Sequence, residues 1–172
     1  MTKKEKIIHT ALTLFAKHGY TETSISKIAK EAGVSKGLTY THFENKEDLL
    51  KAVVTETLVS MTTGLIQVEE LNLKHFLSYY FELLKAQKER IRFCVLLVIH
   101  PETPSVIKEL LAQQQTELLQ VLTHLLSPFS SDNSSLEAQM LLATLDGITL
   151  EYITNSDEAV LEKMEAYLMH KY

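Results

Sequence analysis

Residues 23–46, TSISKIAKEAGVSKGLTYTHFENK, decide the reading of this 172-residue chain. Ile25, Ile28 and Ala29 fall at helical spacing and form an apolar stripe. Gly33 stands where that helix must end, because glycine enters the left-handed region without a Cβ clash. Val34 plugs the corner, and Ser35 is placed to accept a hydrogen bond from the free N–H groups of a second helix. That second helix, residues 35–42, carries Lys36, Gly37, Thr39, Tyr40 and His42 and no acid. A helix so short does not stand alone in water. It has to be held by the one before it and present its polar side outward. The pattern predicts a helix-turn-helix whose second helix enters the major groove of duplex DNA.

Three linked pieces of sequence surround and include this corner. Ala11-Leu12-x-Leu14-Phe15-Ala16-x-x-Gly19-Tyr20 precedes it. Thr23-Ser24-Ile25-x-x-Ile28-Ala29-x-x-Ala32-Gly33-Val34-Ser35-x-Gly37 contains it. Tyr40-x-His42-Phe43-x-x-Lys46-Glu47-x-Leu49 follows. In order and spacing, the first third of the chain closely resembles the TetR/AcrR family of bacterial transcriptional regulators. The other two-thirds carries no motif and resembles the family in length and helical character alone.

The resemblance implies a role for each matching residue. Lys36 would donate to guanine O6 or N7, or meet a phosphate. Gly37 would let the helix backbone approach the groove wall, and Thr39 would touch a base edge or a thymine methyl. Tyr40 and His42 would meet phosphate oxygens, which set register. Lys46, opening the fourth helix, would bind a phosphate beside the free N–H groups there. Thr23 or Ser24 would do the same at the helix before the corner. Other roles stay open: Ser24 and Ser35 as caps alone, and Tyr40 with its ring packed on the first helix. Leu38 and Phe43 are assigned to the core.

Periodicity predicts an all-α fold of about nine helices. The N-terminal part, residues 1–47, is a three-helix DNA-binding domain with its helix-turn-helix at about residues 24–43. Residues 48–172 form a helical ligand-binding and dimerisation domain. Thr2-x-x-Glu5 is a capping box for the first helix, which buries Ile7, Ile8, Ala11, Leu14 and Phe15. Asn45 caps the fourth helix. A fifth helix covers residues 73–87, and a sixth, residues 90–99, is apolar nearly all round and therefore expected to be deeply buried. Thr103 and Pro104 are the expected cap and first position of a seventh. Residues 127–135 form a polar break and the expected mobile loop. Ser134-x-x-Glu137 is a second capping box, and a ninth helix follows Asn155-Ser156.

Leu141, Leu145, Ile148 and Tyr152 lie on one side of the eighth helix, with Gly147 as a point of close approach. Met164 and Leu168 do the same on the ninth. In the resembled family the last two helices pair with their copies in a homodimer; the alternative is that they complete a monomer's core. The family also encloses a pocket for a small, often apolar effector. Tyr80, His100, Gln114 and Asp146, polar groups on or beside apolar faces, are its candidates, with a satisfied core or interface group as the competing reading of each.

Charge agrees with a nucleic-acid-facing N-terminus. The chain is net −5, but residues 1–50 hold eight lysines and six acids while the rest is acidic. The single Cys94 excludes an internal disulfide and fits a reducing compartment. No secretory signal or membrane span is visible, so a cytoplasmic protein is expected. The seven histidines show no metal-ligand spacing and there is no glycine-rich phosphate loop. Neither an enzyme nor a cofactor or metal is expected. The sequence therefore predicts a homodimeric regulator, more plausibly a repressor, on a palindromic double-stranded operator, released by a small effector. A ligand-independent DNA-binding dimer or adaptor is the alternative.

Overall fold

A computed structural model describes residues 1–66, 71–129 and 133–172, with the backbone alone for residues 65 and 66. Residues 130–132 of the polar break expected to be mobile lie outside the described residues. Among the described residues every regular element is a helix: α1 (Lys3–His18), α2 (Ile25–Glu31), α3 (Lys36–His42), α4 (Lys46–Ile66), α5 (Leu73–Ala86), α6 (Lys88–Ile99), α7 (Ser105–Leu126), α8 (Ser134–Asn155) and α9 (Glu158–Lys171). The fold is all-α. None of these helices is long and apolar enough to cross a membrane.

The chain divides into two compact units. Met1–Ser60 and Glu89–Leu111 form the first. Its core joins Ile7, Ala11 and Phe15 of α1 to Ile28 of α2, Leu49 and Val53 of α4, Phe93 and Leu97 of α6, and Ile107 of α7. Burying each of the larger side chains contributes roughly 1.5–3 kcal/mol before conformational entropy is subtracted. Phe15 stacks on Phe93 with ring centroids 6.4 Å apart and meets Tyr20 edge-on at 5.5 Å. A boundary at residue 47 would cut this core between Phe43 and Leu49.

Local chemistry sets the helix ends. Thr2 and Glu5 form the reciprocal capping box at α1. Asn45 Oδ1 accepts from the Asp48 amide at 2.8 Å and caps α4. Asn72 caps α5 and Asp157 caps α9 in the same way. Three readings are corrected. Of α6, Phe93 and Leu97 are buried, whereas Leu96, Val98 and Ile99 are exposed; one helix packed along one side buries one stripe however apolar its other faces are. Helix α7 begins at Ser105, and the Pro104 carbonyl accepts from Ile107 and Lys108. Helix α8 has Asn133 at its cap position with no side-chain capping bond, so Ser134-x-x-Glu137 lies inside the helix and forms no box.

Met61–Lys88 and Ala112–Tyr172 form the second unit. There α5 and α8 both pack against α9. Leu77, Phe81 and Leu84 of α5, Leu122 and Leu126 of α7, and Leu161 of α9 are buried. Lys85 of α5 pairs with Glu165 of α9 at 3.2 Å. The Lys88 ammonium lies 4.8 Å over the Tyr152 ring and donates to the Ser156 hydroxyl at the α8–α9 corner.

Candidate nucleic-acid interface

The corner between α2 and α3 is built by backbone hydrogen bonds. Gly33 adopts φ +62°. Its N–H donates to the Lys30 carbonyl at 3.1 Å, and the Val34 N–H reaches back to the Ala29 carbonyl at 3.0 Å. This pair of bonds is a Schellman motif, which satisfies the carbonyls that α2 would otherwise leave open. Ser24 Oγ accepts from the Lys27 amide at 3.2 Å and Ser35 Oγ from the Leu38 amide at 3.0 Å. Both serines therefore cap, and both remain exposed.

Burial gives α3 a definite outer side. Lys36, Gly37, Tyr40 and Thr41 are exposed at positions i, i+1, i+4 and i+5. Thr39 is fully buried and Phe43 is 3% exposed. Lys36 Nζ lies 5.8 Å over the Tyr40 ring, one turn along the same face. Tyr40 is 47% exposed. His42 is half-buried, its ring 6.3 Å from that of Phe43. A Cβ added at Gly37 would meet nothing closer than 4.0 Å, so the glycine leaves a flat, open patch.

Three readings are corrected here. Thr39 does not face outward: its hydroxyl donates to the Ser35 carbonyl at 3.4 Å inside the helix packing. The half-buried Leu38 lies between the two sides rather than in the core. Thr23 is likewise fully buried, its hydroxyl donating to the Gly19 carbonyl at 2.8 Å and the Leu14 carbonyl at 3.3 Å. It closes the C-terminal carbonyls of α1 and cannot reach a phosphate. Thr41, which the sequence reading does not single out, shares this exposed side, one turn from Gly37.

Lys46 is fixed by protein groups. Its ammonium donates to the Thr21 carbonyl at 3.1 Å and lies 4.3 Å over the Tyr20 ring. Burial lowers its pKa from the ordinary lysine value, and the nearby Glu22 opposes that shift. Burial, with help from Glu47, raises the pKa of the Tyr20 phenol. The α1–α2 corner is held from a second side by the Thr21 hydroxyl, which donates to Glu102 Oε2 at 3.2 Å.

Of the four effector candidates, His100 lies in the first unit and Tyr80, Gln114 and Asp146 in the second, where Asp146 is near enough to Tyr80 to add to the rise in its phenol pKa. The Tyr80 hydroxyl donates to the Leu145 carbonyl and shares a 2.7 Å bond with Thr149, and burial pushes its pKa upward. It is a satisfied packing group between α5 and α8. His100 is exposed, and its Nδ1 accepts from the Glu102 amide at 3.2 Å. Gln114 is half-buried on α7. Asp146 lines a recess of about 330 Å³ between α7 and α8, with Leu119 and Leu142 on its walls.

The expected dimer residues are also corrected. Leu141, Leu145, Ile148, Tyr152 and Leu168 are buried within the chain, at most 8% exposed, and Met164 is half-buried. The five buried residues pack inside the chain and leave little surface for a partner, whereas Met164 keeps some. Gly147 is exposed, with open space around it. It belongs to the opposite side of α8, where Leu136, Met140 and Leu150 are more than half exposed at spacings of four, seven and three around it. Tyr167 of α9 is 69% exposed.

Comparison with known proteins places this architecture. Residues 7–53 match the profile of the bacterial regulatory proteins of the tetR family. The chain is 56% identical over 48 residues to the HTH-type transcriptional regulator YerO of Bacillus subtilis, an alignment covering 28% of this chain and 17% of that protein. Over its whole length it is similar to the fatty acid degradation regulator FadR of Bacillus halodurans, at 26% identity and TM-score 0.77, covering 98% of this chain and 95% of that one. A transcriptional regulator from Aquifex aeolicus superposes with TM-score 0.82 at 22% identity, covering 99% of this chain and all of that one. The curated sequence relative is thus spanned over about a sixth of its own length. Residues 7–53 thus carry the DNA-binding segment of the tetR type, and the whole chain shares its fold with these regulators.

Proposed function

We propose that this protein is a transcriptional repressor that binds a palindromic operator as a homodimer and is released by a small, apolar effector. The outer side of α3 carries this reading: Lys36, Gly37, Tyr40 and Thr41 exposed together, with no acid among them. Lys36 reads a base edge or a phosphate, Gly37 and Thr41 meet the groove wall, and Tyr40, His42, Ser24 and Ser35 contact the backbone. One two-turn helix offers few contacts, so specific binding requires two heads. The stripe of Leu136, Met140, Gly147 and Leu150 on α8, joined by Tyr167, is the dimer surface, since an exposed apolar run of this kind marks an interaction site. The recess holding Asp146 supports an effector site. Effector binding acts only through a difference in affinity between DNA-competent and incompetent conformers.

Selection of bound duplexes from a random DNA pool tests this. A palindromic consensus with half-sites about 10–10.5 base pairs apart, or a multiple, is expected. Failure to enrich any sequence would refute specific binding, and a single unrepeated half-site would refute the dimer.

A further inference from the structure

Within the first unit, a cleft of about 420 Å³ lies between the C-terminal half of α1, the α1–α2 corner and α6. Its floor is Phe15, Phe93 and Leu97, all nearly buried, and Leu96 stands on its wall 42% exposed. Lys17 and Arg92 line it, as do the imidazoles of His18 and His100. A second cleft of about 440 Å³ shares Ala16, Lys17 and Arg92 with the first, so these two cations stand on the ridge between two openings.

The charge around the first cleft is unevenly committed. Of its acids, Glu102 accepts the Thr21 hydroxyl and Glu22 directs its field at Lys46. Arg92 pairs with Glu89 at 3.1 Å, but both side chains are exposed, and such pairs yield readily to competition. Among the described residues Lys17 has no carboxylate within ion-pair distance. His100 Nδ1 accepts the Glu102 amide, which places its proton on Nε2, free to donate. The size of the apolar floor limits the guest. From Phe93 to Leu97 is about 6 Å along a helix axis, the length of one or two fused rings rather than of an extended chain. An apolar floor with a few convergent donors is the usual make-up of a small-molecule site, and this volume falls within its range.

We propose that this cleft binds a small aromatic monocarboxylate, its ring on the Phe93–Leu97 floor and its carboxylate between Lys17 and Arg92. The binding itself is independent of any DNA; an effect on operator affinity, through Tyr20 and Thr21 on the cleft wall, rests on the regulatory reading above. The test uses the full chain without DNA and 1-naphthoate as probe, with uncharged 1-naphthamide as control, followed by calorimetry and by amide chemical shifts. Saturable binding of one naphthoate per chain is expected, at least fivefold tighter than the amide, with shifts centred on residues 20–21 and 96–100. The double variant K17Q/R92Q changes two exposed side chains and should reduce naphthoate binding to the level of the amide while leaving the amide unchanged. No binding, equal affinity for the two probes, unaltered binding by the double variant, or shifts confined to α7 and α8 would each overturn the proposal. Because no DNA is present, a failure here leaves the operator experiment untouched, and the converse holds.

Discussion

The ammonium of Lys46, the first residue of α4, donates to the backbone carbonyl of Thr21 at 3.1 Å across 25 positions of sequence. One cation thereby ties the helix that follows the helix-turn-helix to the corner that precedes it. The bond is charge-assisted and only partly screened, and the Tyr20 ring beneath the ammonium adds to it. Lys46→Met keeps the stem and removes the charge. It is expected to lower unfolding stability by about 1–2 kcal/mol in urea. If the remaining donors also meet a phosphate, the dependence of log K on log salt should flatten by about one unit. A stability loss with an unchanged slope would confine Lys46 to a structural role.

Gly33 and Gly37 separate folding from recognition. At φ +62° an added Cβ at Gly33 is strained whatever the space around it, so Gly33→Ala should destabilise by about 1 kcal/mol or more. Gly37 is helical and open, so Gly37→Ala should leave the fold intact or stabilise it by about 0.5–1 kcal/mol. On the regulatory reading the same methyl group stands against the groove wall, and operator affinity should fall at least tenfold. Paired melting curves and binding isotherms check both halves; an unchanged affinity for Gly37→Ala would remove α3 from the groove.

Thr39 and Lys36 carry opposite expectations. The Thr39 hydroxyl is buried on a long 3.4 Å bond to the Ser35 carbonyl. Thr39→Val should cost less than about 1 kcal/mol and leave sequence preference unaltered. Lys36→Ala touches no core group and should weaken operator binding more than binding to random duplex. A change of preferred sequence in Thr39→Val, or equal losses on both DNAs for Lys36→Ala, would reverse these assignments.

The proposed dimer surface on α8 is chosen by exposure rather than by apolarity. Met140 and Leu150 are 65% and 56% exposed, so replacing both with Glu should disturb the fold little and yield monomers in sedimentation at micromolar concentration. Ile148→Glu would bury a carboxylate at a position 7% exposed and should unfold the second unit, giving no information on assembly. A dimer surviving Met140→Glu/Leu150→Glu would place the contact elsewhere.

These corrections share a physical origin. The helix-turn-helix was legible because Gly33, Ser35 and the Ile25–Ile28–Ala29 stripe each permit few conformations. The phase of α3 was not: seven residues make two turns, too few for periodicity to say which side is inside. Threonine also hides easily, because its hydroxyl can return to the carbonyl four residues back, as Thr39 does. On α8 the sequence is apolar on two opposite sides, Leu141–Leu145–Ile148 and Leu136–Met140–Leu150, and only the packed chain distinguishes core from surface. Helix α6 poses the same problem. Contacts such as Lys46–Thr21 and Thr21–Glu102 join backbone and surface groups far apart in sequence and leave no pattern to read.

Asp146 supplies a prediction with a definite sign. Asp146 is exposed at the α7–α8 recess, and partial desolvation there raises its pKa above the ordinary carboxylate value. A raised native pKa means that the folded chain holds this proton more tightly than the unfolded chain does. Protonation therefore favours the fold, and that contribution is complete below the unfolded value of about 3.9. It is lost as pH rises through the native pKa, so at pH 7 the ionised group works against the folded state. Asp146→Asn should raise the melting temperature at pH 7, and its advantage should shrink as pH is lowered toward 4. An aspartate that instead stabilises at pH 7 would mean that a cation or donor faces it in solution, and the recess would then have to be read as a charged site rather than an apolar one.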